Sequence, residues 1–269
     1  MKTSRQLAVT GWEAGRAARR DDSIASEVAV ALTYNRRSHV VMMATPADLE
    51  DLGLGFSLTE GIIDRAADLL SVRVVPRETG IELAMAISTE CFARLDAQRR
   101  NLTGRTGCGL CGAESLQQAM RYPPPVEVQV HITHAALQRA LQALPAEQPL
   151  QVETGAVHCA AWFDRDGGLR ALREDVGRHN ALDKLIGHLA RAGFEPGEGF
   201  LVVSSRASYE MVYKAAAVGM EVVAAVSAPT TLAAEFAQRS GVTLVGFARP
   251  GRHNIYTFPE RIGDGTRPA

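Results

Sequence analysis

Two thiols three residues apart are the most reactive feature of the sequence. Cys108 and Cys111 lie in Gly107-Cys108-Gly109-Leu110-Cys111-Gly112. Glycines on both sides leave the backbone sterically open, so such a loop can present a sulfur to another protein and then carry it elsewhere. Arg105 is close by, and Cys111 falls just ahead of a predicted helix start at Ala113. Both features lower a thiol pKa and raise the thiolate fraction. A thiolate so placed attacks sulfur electrophiles. The same pair also fits half of a zinc site, to be completed by Cys91, Cys159 or histidines. It fits a thioredoxin-like redox pair as well, although no strand precedes it. Gly107-x-Gly109-x-x-Gly112 formally matches a dinucleotide fingerprint, again without the strand that fingerprint needs. Cys91 and Cys159 read as buried small hydrophobes.

A second chemistry is spread over three strand ends. Ser204-Ser205-Arg206, Ser227-Ala228-Pro229-Thr230-Thr231 and Phe247-Ala248-Arg249-Pro250-Gly251-Arg252 each follow an apolar run. In an open parallel sheet, ligands bind beyond the carboxyl ends of the strands. Two of these ends lead into helices, whose first amides attract anions, and Arg206, Arg249 and Arg252 add forked donors suited to phosphate. Taken singly, each serine or threonine is explained as a helix cap. Taken jointly, the three ends suggest a cradle for a phosphorylated, nucleotide-bearing ligand. A third polar cluster, Glu174 to Lys184, crowds Asp175, Arg178, His179, Asn180, Asp183 and Lys184 around a helix start. A cap alone needs fewer polar groups, so the Arg178 to Lys184 helix start is read as part of the ligand site, with Arg178, His179 and Asn180 pointing at whatever sits above it, against the alternative of a solvated helix start.

These groups need elements to hold them. Glu27 to Thr33 and His39 to Thr45 read as a hairpin, followed by a helix opened by Pro46 that runs toward Ile62. Val72 to Pro76 and Ile81 to Ser88 read as a second hairpin, and Glu90 to Arg100 as a helix. A short helix is expected from Ala113 to Arg121, and Pro123-Pro124-Pro125 makes a stiff connector. Beyond it, Thr133 to Leu144 reads as a helix, Val157 to Phe163 as a strand and Arg178 to Ala192 as a helix. A β-α-β-α-β series then runs through strands at Phe200, Glu221 and Val242. Its strands are continuous apolar runs, as in a parallel sheet covered on both faces. The expected fold class is α/β. The organisation is a loosely ordered terminus at 1–22, a smaller α+β domain at 23–122 ending in the cysteine loop, and an α/β domain at 126–269.

Composition narrows the function further. The 269 residues carry 29 Lys plus Arg against 30 Asp plus Glu. That near balance argues against a generic nucleic-acid binder. Four cysteines are too few for a disulfide scaffold. No apolar segment is long enough to span a bilayer, and no secretory segment is read at the start, so a cytoplasmic location is expected.

The loop Gly-Cys-Gly-Leu-Cys-Gly, the run Glu174 to Lys184 and the run Ser204 to Lys214 together resemble the formate dehydrogenase accessory sulfurtransferase family, FdhD. Val226 to Thr230, Gly246 to Arg249 and Asn254 to Thr257 extend the likeness, in order, over nearly the whole chain from about residue 20. The resemblance implies a sulfur carrier that takes persulfide sulfur from a cysteine desulfurase. It would pass that sulfur to the molybdenum bis(molybdopterin guanine dinucleotide) cofactor before the cofactor enters formate dehydrogenase. Cys108 is then the persulfide position and Cys111 its supporting thiol. Phe247, Ala248, Arg249, Pro250, Gly251 and Arg252 match the family's cofactor-binding segment, and Ser205, Arg206, Ser227 and His179 join them from the strand-end cradle. GDP or GMP would occupy the same site, no protein-bound metal is implied, and the protein would be a homodimer. The likeness also implies a cytidine-deaminase-like three-layer α/β/α second domain. A working zinc deaminase is excluded, because none of the seven histidines has a glutamate two positions on and Cys108 follows glycine, not proline. A cofactor chaperone without sulfur chemistry and a zinc-stabilised binding module remain as alternatives.

Overall fold

The structure, a computed structural model, describes residues 1–100, 123–127, 130–193 and 195–264. Cys108, Cys111 and the helix expected from Ala113 lie outside the described residues.

The first half opens with an antiparallel pair, β1 (Ser4–Glu13) and β2 (Arg16–Ala25). This corrects the expectation of a loose terminus at 1–22. The run is rich in arginine and aspartate and has no buried face, so it carries no hydrophobic signal of a strand. Four more strands follow, β3 (Val28–Tyr34), β4 (Arg37–Ala44), β5 (Leu69–Arg77) and β6 (Gly80–Ile87), in the sheet order β4-β3-β6-β5. Strict alternation buries Ile81, Leu83, Met85 and Ile87 on one face of β6. That face packs on α1 (Leu49–Thr59) and α2 (Thr89–Arg100), with Cys91 and Leu95 of α2 in the same core. Helix α1 starts later than Pro46 because Asp48 takes a left-handed conformation, φ 51°. It stops at Thr59, short of Ile62.

The second half is built on a six-stranded sheet ordered β13-β12-β11-β10-β8-β9. Its strands are β8 (His158–Asp164), β9 (Leu169–Asp175), β10 (Gly199–Val203), β11 (Val222–Ala225), β12 (Thr243–Arg249) and β13 (Arg252–Ile255). A separate short pair joins β7 (Ile132–Thr133) to β14 (Ile262–Gly263). In the large sheet, β10, β11 and β12 run parallel, whereas β8, β9 and β13 pair antiparallel. The sheet is therefore mixed, where the apolar runs alone suggest a parallel one. Leu201 and Val203 of β10 enter one core, and Phe200 and Val202 enter the other. Helices α5 (Arg178–Ala192), α6 (Tyr209–Ala217) and α7 (Thr231–Ser240) cover the first face, and α3 (His134–Ala143) covers the second. Each fully buried Leu, Val or Phe contributes about 1.5–3 kcal/mol of transfer free energy, so a strand buried on both faces is held twice over. A short helix, α4 (Pro149–Thr154), precedes β8.

The two halves meet where α1 crosses α5. A Cβ on Gly55 would lie 1.7 Å from the Asp183 carbonyl oxygen, and one on Gly187 would lie 1.9 Å from that of Asp51. Only glycine permits this approach, and the two backbones lie against each other there.

Candidate functional site

Helix α5 begins at the carboxyl end of β9, and the 175–184 cluster divides there into two populations. Most of it is buried. Lys184 Nζ lies 2.6 Å from Asp175 and donates to the Thr45 carbonyl at 2.9 Å. Asn180 donates to the Met43 carbonyl and to Asp175. Lys214 of α6 reaches both carboxylate oxygens of Asp183 at 3.0 Å and Glu60 at 3.0 Å, while Thr59 donates to Asp183 at 2.8 Å. Burial opposes the Lys214 charge, yet Asp183 and Glu60 outweigh it and hold its pKa above the ordinary value. Each of these charges is matched by a partner in the other half or on the neighbouring helix. The expectation that the Arg178 to Lys184 helix start binds a ligand is therefore corrected at its far end: the Lys184 side chain is fully buried and spent on Asp175 and Thr45.

The other population faces the carboxyl edge of the sheet. His179 lies 2.8 Å from Glu210, in the first turn of α6. The hydrogen bond from His179 is the main reason that the Glu210 pKa falls below the usual carboxylate value. Arg178 Nε and Ser208 Oγ are buried and have no hydrogen-bond partner among the described residues. Buried polar atoms are normally satisfied, so these two stand out as open positions among the described residues. His158, at the start of β8, lies on the same edge. Burial, then the Arg178 and His179 charges, keep its pKa below the ordinary imidazole value.

Backbone bonds bring the three strand ends side by side. Val226 donates to the Val203 carbonyl, Thr230 to that of Ala207, and Phe247 to that of Ser227. Ser205, Arg206, Ser227 and Phe247 thus occupy one edge with His179. Two serines and a threonine are taken up locally. Ser205 Oγ donates to the Arg206 carbonyl, Ser204 Oγ accepts from Cys159 N, and Thr230 caps α7 by accepting from Ala233 N. The cations are different. Arg206 and Arg252 are exposed, and Arg249 is exposed with one 3.4 Å bond to the Val226 carbonyl.

The segment from Phe247 to Arg252 is more ordered than a loop. Phe247 to Arg249 complete β12, Pro250 and Gly251 make a tight turn with Gly251 at φ 82°, and Arg252 opens β13. Proline then glycine with positive φ at the centre is the type II pattern. Phe247 is held at φ 49° at a bulge between β12 and β13, which leaves its ring 38% exposed at the edge. A bulky residue with positive φ is strained, and such strain collects at functional sites. Ala248, expected to contact the ligand, is fully buried in the core and offers no exposed surface at the edge.

Of the two remaining cysteines, both are buried as expected. Burial pushes the Cys159 thiol up to about 12, so it persists as a thiol and is a poor candidate for a zinc thiolate. A separate cavity of about 310 Å³, lined by Leu58, Trp162, Ile186, Leu189, Val218 and Met220, lies toward the opposite end of the sheet. Sequence reasoning missed it, as it missed the α1–α5 crossing. Glycines at 53, 55 and 187 inside helical runs were the available signal for the crossing.

The fold and the site together define a two-part mixed α/β protein with exposed cations gathered on the carboxyl edge of its larger sheet. The chain belongs to the FdhD/NarQ family, whose model matches residues 25–263. The sulfur carrier protein FdhD of Cupriavidus necator is 52% identical over 260 residues, covering 97% of this chain and 90% of that protein. Its counterpart in Xanthomonas euvesicatoria is 51% identical over 251 residues, covering 93% and 89%. Among solved structures, a candidate formate dehydrogenase accessory protein from Desulfotalea psychrophila superposes with a TM-score of 0.75 at 24% identity, covering 97% of this chain and all of that one. At that identity the likeness speaks for the fold. Among the described residues, no helix is long and apolar enough to cross a membrane.

Proposed function

We propose that this chain is a sulfur carrier that serves formate dehydrogenase. The Cys108 thiolate attacks the outer sulfur of a persulfide on a cysteine desulfurase. A new S–S bond forms at Cys108, and the desulfurase cysteine leaves as a thiolate. Cys108 then hands the sulfur to the molybdenum bis(molybdopterin guanine dinucleotide) cofactor before the cofactor is inserted: the Cys111 thiolate attacks the Cys108 sulfur, the persulfide S–S bond breaks, the outer sulfur leaves at the sulfide level, and the two electrons come from formation of a Cys108–Cys111 disulfide.

The observation that supports a cargo site is the carboxyl edge itself. Arg206, Arg249 and Arg252 stand exposed at strand ends, and farther along the same edge, past β9, Arg178 Nε is buried without a partner among the described residues. These groups would bind the pyrophosphate of a guanine dinucleotide arm. Phe247 would offer a ring face to the base, and His179 would add a donor held by Glu210. GDP or GMP, carrying the same groups, would bind there too. The same reading has the protein act in the cytoplasm as a homodimer, for which Leu7 and Trp12, exposed on the β1–β2 pair, offer apolar surface.

The test is mass spectrometry of the protein after incubation with a cysteine desulfurase and cysteine. The expected result is one added sulfur on the peptide containing Cys108. Cys108→Ala should abolish formate dehydrogenase activation while GDP still binds. Activation that survives loss of both loop cysteines would support a chaperone without sulfur chemistry. Stoichiometric zinc in the purified protein, with unfolding on chelation, would support a binding module instead.

A further inference from the structure

Two histidines outside the carboxyl edge are wired to its outermost turn. His134 opens α3 and His253 lies on β13, with rings stacked at 5.1 Å between centroids. His134 Nδ1 and His253 Nε2 are 2.9 Å apart. Gln138, one turn along α3, places Nε2 3.0 Å from His253 Nδ1 and accepts from Gly251 N at 2.6 Å through Oε1.

The proton positions follow from the backbone. The Gly251 N–H can only donate, so Gln138 must present its oxygen there and its amide nitrogen to His253. His253 Nδ1 is then an acceptor and its proton sits on Nε2, directed at His134 Nδ1. One added proton upsets this order. Only one proton fits between the facing nitrogens of the two rings, so in either arrangement of the charged pair the other proton of His253 sits on Nδ1. There it confronts the Gln138 amide. If Gln138 turns its oxygen to His253, its NH₂ faces the Gly251 N–H, donor against donor, and the turn loses its anchor.

We propose that Gln138, His253 and His134 form a proton-sensitive clamp on the Arg249–Arg252 turn, closed when the histidine pair is neutral and open when it gains a proton. The consequence for ligand binding rests on the reading of the carboxyl edge as a nucleotide site, because Arg249 and Arg252 flank the clamped residues. Burial, and then the neighbouring His134, hold the His253 pKa below the ordinary value. The charged and titratable groups on the surrounding elements are His131 before β7, Arg139 on α3, Arg165 and Asp166 in the turn under α3, Arg249, Arg252 and Asp264. Cations outnumber acids among them, and Arg139 is already bonded to the Asp166 carbonyl at 2.8 Å.

The test follows the Gly251 amide and the His253 ring by NMR from about pH 7.5 to about pH 5, where imidazoles titrate, with GDP affinity measured over the same range. In the wild-type protein the two signals should move with one midpoint, and GDP affinity should fall about tenfold, the loss expected for one hydrogen bond to the turn. Gln138→Glu offers Gly251 an acceptor in both protonation states. In that variant His253 should still titrate, at a higher midpoint, while the Gly251 amide and GDP affinity stay flat. A Gly251 amide that ignores His253 in the wild type would overturn the clamp. So would a Gln138→Glu protein whose Gly251 amide still follows the histidine. If the Gly251 amide follows His253 but GDP binds at no pH, the clamp stands and the nucleotide reading of the edge falls.

Discussion

The start of α5 and the crossing of α5 with α1 draw on the same run of residues but treat charge in opposite ways. At the crossing, Asp175, Asp183, Lys184 and Lys214 are buried and saturated. At the carboxyl edge, Arg178 Nε has no partner among the described residues, and Arg206, Arg249 and Arg252 reach solvent. Polar density in a sequence does not tell these cases apart. Saturation does: a charge whose every valence is filled by the protein holds the fold, and one left open is available to a ligand. The contrast also fits the energetics. Buried charge pairs add little net stability compared with apolar replacements, but breaking one is severe.

The largest expected effect separates the two regions by stability. Lys214→Met leaves Asp183 buried without its cation and should cost about 3–5 kcal/mol, read as a lower urea midpoint. Arg249→Ala should stay within about 0.5 kcal/mol of the wild type. Adding Asp183→Leu to Lys214→Met should recover much of the loss, since it removes the orphaned charge. Equal effects of Lys214→Met and Arg249→Ala would erase the distinction.

Next in size is Gly187→Ala, where a methyl would meet the Asp51 carbonyl oxygen. Pushing α1 off α5 should cost about 3 kcal/mol, the upper range for overpacking, measured by thermal melting. The edge should respond in affinity instead. Arg206→Ala and Arg249→Ala should each weaken GDP binding about tenfold, the cost of a charged hydrogen bond, with melting temperature unchanged and with a steeper loss at high salt in the wild type.

The smallest effect concerns the His179–Glu210 pair. The folded-state pKa of Glu210 is lowered, so the pair contributes stability above the unfolded carboxyl pKa and loses it as pH falls through the folded value. Because the pair is partly exposed, that contribution should be below about 1 kcal/mol. Glu210→Gln should flatten this acid limb of the stability profile, checked by urea unfolding between about pH 6 and about pH 3.

Much of this was legible in the residues themselves. The strands at Phe200, Val222 and Thr243 announce themselves as continuous apolar runs because both faces are buried, and α5 spans Arg178–Ala192 as expected. Strands β9 and β13 were not legible: Leu169–Asp175 and Arg252–Ile255 lie at the two edges of the sheet, half solvated, and their polar sequences show no sustained apolar alternation. Strand polarity was hidden for the same reason, since an apolar run looks alike in either direction. The three strand ends were recognisable as a shared edge, but not which of their side chains would be consumed locally. Ser205 and Thr230 have the same chemistry as a ligand donor and differ only in having found a partner. That Lys184 would be consumed inside the fold was hidden, because its partner Asp175 is the last residue of β9 and is buried with it.

The most direct test of a ligand at the carboxyl edge is to titrate GDP into the isotopically labelled protein and follow the backbone amides. Shifts should cluster at residues 178–179, 204–206, 227–230 and 247–252. Shifts confined instead to the α1–α5 crossing, or to the cavity beside Trp162, would contradict it.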